Sequence, residues 1–175
     1  MEVYLNPSTN DFTNLLSEDI FVDKTEMLTE LAGRINDPSR KYVVVSRPRR
    51  FGKTVDANMI IAFFEKNCDR KQFENLRISR FEDIVEKHCG KYHVIKIDVS
   101  KKIEKYMTME EYAGVLEKRV IRDILKTFPI DDLPEDTALV DILGEIYDEK
   151  KEQFIFVVDE WDAPLRLKKF DDRQQ

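Results

Sequence analysis

Apolar positions along the chain follow two spacings, one typical of buried strands and one typical of amphipathic helices. Residues 41–46 (KYVVVS) and 154–159 (FIFVVD) are short apolar runs, rich in β-branched and aromatic residues. Such runs predict strands that are buried on both faces, as in a parallel sheet. Residues 92–99 (YHVIKIDV) predict a third strand, and their partial alternation of apolar and polar positions indicates a less central place in the sheet.

Longer segments have the three-to-four-residue spacing of helices. Thr108 and Glu111 form a capping-box pattern, and apolar residues then recur every three or four positions as far as Phe128. Residues 137–151 repeat this pattern, with Asp136 as the expected cap. The other predicted helices span residues 25–35, 53–65 and 80–87.

Strands that alternate with helices of this length predict an α/β fold with parallel strands joined by right-handed crossovers. The chain of 175 residues is 42% hydrophobic, which is enough for one core, and it has no internal repeat or Gly/Ser-rich linker. We therefore expect residues 1–175 to form a single domain.

Composition narrows the function classes. A net charge of −6 argues against a strongly basic nucleic-acid binder. Cys68 and Cys89 are too few for a disulfide framework and lack the spacing of a zinc site, which favours a reducing compartment. No apolar run is long enough to cross a bilayer and no secretory signal is visible, so we expect a cytoplasmic protein without a membrane partner.

The most informative motif joins the first predicted strand to its helix, at residues 46–54 (SRPRRFGKT). Its last three residues are the end of the phosphate-binding pattern GxxxxGK[ST]. Gly52 lets the backbone approach a phosphate, Lys53 places a positive charge on the β and γ oxygens, and Thr54 offers a hydroxyl to magnesium. The first glycine of the pattern is replaced by Arg47. An ordinary helix start is the alternative explanation of GKT, and its place between a strand and a helix favours phosphate binding.

A second motif, FIFVVDE at residues 154–160, has the pattern of a Walker B element. Asp159 at the end of the strand would hold Mg²⁺, usually through water, and Glu160 would polarise the attacking water. Two acids after a strand also occur in solvated turns and helix caps. The GKT motif upstream favours the functional interpretation.

Three arginines extend the basic character of the first motif. Arg47, Arg49, Arg50 and Lys53 place four cations in seven residues of an acidic chain, which indicates a focused anion site. Pro48 contributes no N–H, so we hypothesise that the arginines partly replace backbone donors. The alternative is that some of them face solvent or pair with nearby acids.

These motifs carry a family resemblance. Residues 47–54 (RPRRFGKT), 21–28 (FVDKTEML) and 157–164 (VVDEWDAP) resemble the AAA-ATPase-like family. In that family the Walker A element is typically spelled RPRRFGK[ST], a YVDKT segment precedes it, and the acidic strand reads DEYD or DEWD. Phe21 stands here in place of the usual Tyr.

The resemblance implies a P-loop NTPase-like, three-layer α/β/α fold with a mainly parallel sheet, and a module that binds ATP with Mg²⁺. Lys53 and Glu160 are the catalytic candidates, and Thr54 and Asp159 are the metal candidates. The candidate nucleotide-binding residues are Arg47, Arg49, Arg50, Phe51, Gly52, Lys53 and Thr54. Phe51 has an alternative role in packing under the loop.

The resemblance also suggests how the chain is organised, with Walker A at residues 47–54 and Walker B at 154–160. Many members continue into a nuclease-like domain of the PD-(D/E)XK type, which residues 1–175 do not contain. Nuclease activity is therefore not carried over, and coupling to such a domain is expected only in a longer protein. The residues after 162 show no further strand pattern. We therefore expect the N-terminal portion of a longer ATPase, with an incomplete sheet at its C-terminal end whose exposed edges favour self-association.

Three functions remain open at this stage. The first is an ATPase that hydrolyses ATP to ADP and phosphate. The second is a nucleotide-binding switch with negligible turnover. The third is a nucleic-acid-associated module that uses the arginine cluster, alone or through the full-length protein.

Overall fold

The computed structural model describes residues 3–46, 51–101, 108–134 and 136–166. The chain divides into two compact units. Ser8–His93 form one, called here the helical unit. Met1–Pro7 and Val94–Gln175 form the other, called here the sheet unit. The expected single domain over residues 1–175 stays a prediction.

In the part of the helical unit that the structure describes there are four helices and two 3₁₀ turns. The helices are α1 Asn10–Leu16, α2 Met27–Ala32, α3 Lys53–Phe64 and α4 Glu82–His88, and the 3₁₀ turns are Arg70–Phe73 and Arg77–Arg80. Stacked and edge-on aromatic rings fill its centre. The ring of Phe12 stacks on Phe73 and the ring of Phe63 meets Phe73 edge-on, each at a centroid distance of 5.3 Å. These rings join α1 and α3 through the first 3₁₀ turn.

Helix α3 matches its predicted span and is buried on several sides, as its sequence indicates. Its packing neighbour is α1, which we had not predicted from the sequence because its seven residues contain few apolar positions. A short helix of this kind is stabilised mainly by tertiary contact, here through the fully buried Phe12.

The predicted buried strand at residues 41–46 is wrong. These residues form neither helix nor strand, and the side chains of Tyr42 and Val44 are 82% and 76% exposed. A strand requires a neighbouring backbone that accepts and donates its ladder hydrogen bonds. No described segment pairs with residues 41–46, so the apolar run has strand propensity without a partner.

The described residues of the sheet unit form two strands and two longer helices. The elements are β1 His93–Asp98, whose first residue belongs to the helical unit, α5 Met109–Thr127, α6 Leu139–Lys150, β2 Phe154–Asp159 and a short 3₁₀ turn at Pro164–Arg166. β1 and β2 form a two-stranded parallel sheet. Leu5 adds an isolated antiparallel bridge to Ile95. A mixed helix and strand architecture is therefore confirmed, and the three-layer P-loop arrangement stays a prediction.

The core of the sheet unit lies between α5, α6 and the strands. Its fully buried members are Ile95, Val120, Ile124, Ile142 and Ile146. The relative burial of the two strands differs from our expectation. Val94 and Ile95 of β1 are fully buried, whereas Phe156 and Val158 of β2 are 43% and 46% exposed. β2 is therefore covered on one face among the described residues, which an unbroken apolar sequence does not reveal.

Of the two helix caps that we predict in this unit, one is confirmed and one is wrong. The Thr108 hydroxyl accepts a hydrogen bond from the Glu111 amide at 3.1 Å, as the capping pattern predicts. Helix α6 begins at Leu139 with Ala138 as N-cap, and the Leu139 amide donates to Glu117 Oε1 of α5 at 2.9 Å, so the cap role of Asp136 is wrong. None of the helices in the described ranges is both long and apolar enough to cross a membrane.

Candidate functional site

The first half of the candidate site is the turn that opens α3. Gly52 is the N-cap residue and has left-handed backbone angles, with φ +81° and ψ 22°. The Asp56 amide donates to its carbonyl at 2.8 Å, which closes the first helical turn. No side chain among the described residues caps this helix, and the amides of residues 53–55 lie too close to its start to have an acceptor within the helix. Together with the helix dipole, these amides favour an anion at this position.

Lys53 and Thr54 stand in the first turn of α3. Lys53 is half-buried and Thr54 is exposed. Within the described part of the chain, neither side chain makes a hydrogen bond or an ion pair. The ammonium and the hydroxyl are therefore available to a ligand at the helix start.

The lysine of the upstream VDKT segment holds this turn. Lys24 Nζ donates to the Phe51 carbonyl oxygen at 3.4 Å and to Asp56 Oδ1 at 3.1 Å. The Asp56 side chain is only 9% exposed, and the ion pair with Lys24 offsets the cost of burying its carboxylate. A Cβ atom at Gly52 would lie 3.1 Å from Lys24 Nζ, on a backbone that L side chains rarely adopt. A glycine at this position thus fits both the backbone angles and the approach of Lys24.

The two neighbours of Lys24 anchor the same segment. Asp23 Oδ1 accepts hydrogen bonds from the Thr25 amide at 2.8 Å and the Thr25 hydroxyl at 2.7 Å, and Asp23 Oδ2 accepts from the Arg77 amide at 2.7 Å. The Thr25 hydroxyl oxygen accepts from the Ile78 amide at 3.1 Å. Burial acts to raise the pKa of Asp23, but these hydrogen bonds outweigh it and lower the pKa below 3.8. The segment is therefore fixed to the second 3₁₀ turn, which holds Lys24 in place.

The sequence did not reveal these roles. The VDKT block was visible as a match to the family pattern, but no periodicity indicates which loop a lysine 27 positions upstream will contact. Arg47, Arg49 and Arg50 lie outside the described residues, so their binding role stays a prediction. Phe51 is 59% exposed.

The second half of the candidate site follows β2. Asp159 is the last residue of the strand, and its carbonyl oxygen accepts from the Val99 amide at 3.1 Å. Its carboxylate accepts from the Glu160 amide at 2.9 Å. Glu160 has a φ of +52°, in the left-handed region. For a residue with a Cβ atom this conformation costs about 1 kcal/mol, and such outliers cluster at functional sites.

The Glu160 carboxylate already has a cationic partner. Arg166 Nη2 contacts Glu160 Oε2, and Arg166 Nε lies 3.6 Å from Asp162 Oδ2. All three side chains are about one-third exposed. In the structure as it stands, the candidate base is part of a small ion-pair cluster after β2.

The structure gives the two halves separately, because residues 52–54 belong to the helical unit and residues 159–160 to the sheet unit. Among the described residues, no group of three or more His, Cys, Asp or Glu side chains could hold a metal ion. The hydroxyl of Thr54 and the carboxylate of Asp159 are oxygen donors, which is the ligand type that Mg²⁺ prefers.

Comparison with known proteins supports the family that the sequence motifs predict. Residues 7–174 match the profile of a family described as "Predicted AAA-ATPase". No curated protein and no solved structure matches the chain. The match extends over nearly the whole chain and includes the VDKT segment, the GKT turn and the acidic end of β2. The chain therefore belongs to the AAA-ATPase-like family.

Proposed function

We propose that this chain binds ATP, with the phosphates at the start of α3. The observation that carries the proposal is the left-handed Gly52 at a helix N-terminus that no described side chain caps, followed directly by Lys53 and Thr54, whose side chains have no partner among the described residues. Free backbone amides, the positive end of a helix dipole and an ammonium belong to the same turn, and a polyphosphate supplies the complementary charge. Membership of an ATPase-like family supports a nucleotide as that anion.

Each residue of the turn has a separate task in this proposal. The amides of residues 53–55 bind phosphate oxygens, and Lys53 neutralises charge on the β and γ oxygens. Arg47, Arg49 and Arg50 add cations, and Phe51 contacts the nucleotide. Thr54 and Asp159 would hold Mg²⁺, which supplies charge neutralisation on the phosphates when bound.

We further propose that Glu160 acts as the general base of hydrolysis and orients the attacking water. Catalysis then depends mostly on position and charge, since in-line phosphoryl transfer requires little covalent chemistry from the protein. For this role the Glu160 carboxylate has to be free of Arg166.

The ion pair with Arg166 is also the observation that favours a second candidate function. A carboxylate that stays in contact with a guanidinium is not free to orient the attacking water, so the chain would bind ATP and turn it over negligibly. In this alternative the protein is a nucleotide-dependent switch. A nucleic-acid role of the arginine cluster remains the third proposal, and competition of duplex DNA with bound nucleotide would test it.

Nucleotide binding is tested by titrating ATP, with and without Mg²⁺, into the wild-type chain and the Lys53→Ala variant. We expect wild-type binding that Mg²⁺ strengthens, and a loss of at least about tenfold in affinity in the variant, because a charge-assisted phosphate contact is removed. Lys87→Ala removes an exposed cation of α4 and serves as the matched control, with unchanged affinity. Equal affinities of wild type and Lys53→Ala would contradict the proposal.

Turnover separates the two candidate functions. Phosphate release is measured for wild type, Glu160→Gln and Arg166→Ala at saturating ATP. If Glu160 is the base, Glu160→Gln binds ATP but releases phosphate at least about 100-fold more slowly than wild type. No detectable release by wild type, combined with intact binding, favours the switch, and faster release by Arg166→Ala identifies the ion pair as the cause.

A further inference from the structure

The two cysteines of the chain lie together in the helical unit. Cys68 follows α3, Cys89 follows α4, and their sulfur atoms are 3.0 Å apart although the residues are 21 positions apart in sequence. Both are free thiols, Cys68 half-exposed and Cys89 buried. The sequence favours a reducing compartment for the two cysteines, and a spacing of 21 residues does not by itself indicate a contact.

Backbone hydrogen bonds bring the two segments together. Glu65 and Tyr92 form an isolated parallel bridge, and the Gly90 amide donates to the Phe63 carbonyl at 2.9 Å. Gly90 has a φ of +72°, and a Cβ atom there would already touch the Cys68 Cβ at 3.4 Å. The closeness of the thiols therefore results from paired backbone on both sides, and not from the rotamer of one side chain.

The surroundings of Cys89 favour its thiolate. The two sulfur atoms share a hydrogen bond, which lowers the pKa of Cys89 and raises the pKa of Cys68. Burial opposes the shift at Cys89, and a hydrogen bond from Arg70 supports it. The Arg70 guanidinium is held there by the Val85 and Glu86 carbonyls at the end of α4, at 3.0 and 3.3 Å. A thiolate beside a thiol and a fixed cation is the arrangement of a reactive pair.

We propose that Cys68 and Cys89 form a reversible thiol-oxidation site that takes up a peroxide and closes to an intramolecular disulfide. The site is independent of the nucleotide proposal, since none of its residues belongs to the candidate ATP site.

The reaction balances in two steps. The proton of the Cys68 thiol first passes to the adjacent Cys89 thiolate, and the more exposed Cys68 sulfur, now a thiolate, attacks the peroxide. An S–O bond forms as the O–O bond breaks, and the departing hydroxide takes the proton from Cys89 and leaves as water, which restores the Cys89 thiolate. The Cys89 thiolate then attacks the sulfenic sulfur of Cys68, and the second oxygen leaves as hydroxide, which takes up from solvent the proton that Cys89 released when it first ionised. In sum, two thiols and one hydrogen peroxide give one disulfide and two waters.

Closure requires little movement. A disulfide bond requires the two sulfur atoms to approach by about 1 Å from their present distance. The bond would close a loop that contains the two 3₁₀ turns and α4, and would tie the segment after α3 to the end of α4. Such a crosslink reduces the freedom of the unfolded chain, so the oxidised helical unit is more stable than the reduced one.

The test treats the full chain with hydrogen peroxide and follows three readouts. We expect both thiols to disappear together in a thiol count, and non-reducing peptide mass spectrometry to find the Cys68 and Cys89 peptides joined with the loss of two hydrogens. The thermal midpoint should rise by roughly 5 °C, and dithiothreitol should reverse all three changes. A reagent that traps sulfenic acids should label little of the wild-type chain, because resolution by Cys89 is fast.

Two single variants serve as matched controls. In Cys89→Ser the Cys68 sulfenic acid has no resolving thiol, so the trapping reagent should label Cys68 and the midpoint should not rise. In Cys68→Ser no crosslink should form. Three results on the wild-type chain alone would overturn the proposal: a disulfide between two chains, a stable sulfenic acid without crosslink, or thiols that resist peroxide while the urea-unfolded chain is oxidised.

Discussion

Lys24 connects a segment 27 residues upstream to the turn that opens α3. Its ammonium bonds to the Phe51 carbonyl and to the nearly buried Asp56 carboxylate, on either side of Gly52. The lysine thus fixes one residue before the left-handed glycine, Phe51, and one residue in the first turn of the helix, Asp56. A ligand at this turn would meet a backbone that is already in position, which lowers the entropic cost of binding.

We predict that Lys24→Met lowers both the stability of the helical unit and the affinity for ATP. The change leaves the Asp56 carboxylate without its cation, and because Lys24 is one-third exposed we expect a loss of about 1 kcal/mol in the free energy of unfolding. Urea denaturation of Lys24→Met, Asp56→Asn and the double variant measures the coupling. The double variant should lose less than the sum of the two single losses, and strictly additive losses would show that the pair does not interact.

At the scale of elements, the sequence predicted what depends on local chemistry. Thr108 and Glu111 mark the start of α5 because a hydroxyl can accept a hydrogen bond from the backbone amide three residues later, and both groups belong to the same short segment. The span of α3 and the limits of β2 were also predicted correctly. The predicted strand at residues 41–46 is wrong because strand formation depends on a pairing partner that is distant in sequence. The predicted cap at Asp136 is wrong because the helix begins three residues later, with Ala138 as its N-cap.

The contrast between local motifs and distant partners also applies to the candidate site. Gly52, Lys53 and Thr54 were found from their order, since a phosphate-binding turn is a local motif. The partners of the motif residues, Lys24 at the turn and Arg166 at Glu160, were not found, because each contact depends on where a separate segment comes to lie.

The Thr108 cap leads to a prediction for α5. Replacing Thr108 by Ala removes the side-chain acceptor of the Glu111 amide at this helix start, and we expect the free energy of unfolding to fall by about 1 kcal/mol. Thr127→Ala, at the exposed C-terminal end of the same helix, is the matched control and should change stability by less than about 0.5 kcal/mol. Equal losses in chemical denaturation would mean that the cap contributes nothing.

At the scale of the whole molecule, one buried carboxylate joins the two separate stretches of chain that form the sheet unit. Asp123 of α5 accepts hydrogen bonds from the Tyr4 and Leu5 amides at 2.8 and 2.9 Å and pairs with the Lys126 ammonium at 2.7 Å. These contacts span 118 and 119 positions of sequence. Burial acts to raise the pKa of Asp123, but the Lys126 ammonium and the two amides outweigh it and lower the pKa.

We predict that Asp123→Ala costs about 2 kcal/mol in unfolding free energy near neutral pH, because two buried amides lose their acceptor. The ionised carboxylate stabilises the fold above its unfolded pKa of about 3.8, and this contribution disappears as the pH falls through the lower folded pKa. The difference between wild type and variant should therefore be full at pH 6 and smaller at pH 3.

Hydrogen exchange locates the effect of this change. The Tyr4 and Leu5 amides should exchange faster in Asp123→Ala, whereas the amides of α3, in the helical unit, should not change if the two units open separately. Asp148→Ala, which removes an exposed carboxylate from α6, is the control. A pH-independent loss in Asp123→Ala would contradict a role for the charge.

The exposed residues 41–46 have a consequence for how the polypeptide is cut. An exposed stretch that pairs with no described strand and carries an exposed aromatic ring is accessible to a chymotrypsin-like protease, so cleavage after Tyr42 is favoured. The cut would place α1 and α2 on one fragment and α3 on the other. Since Phe12 stacks on Phe73 across the break, the nicked chain would migrate as one species in native buffer and as two in denaturant.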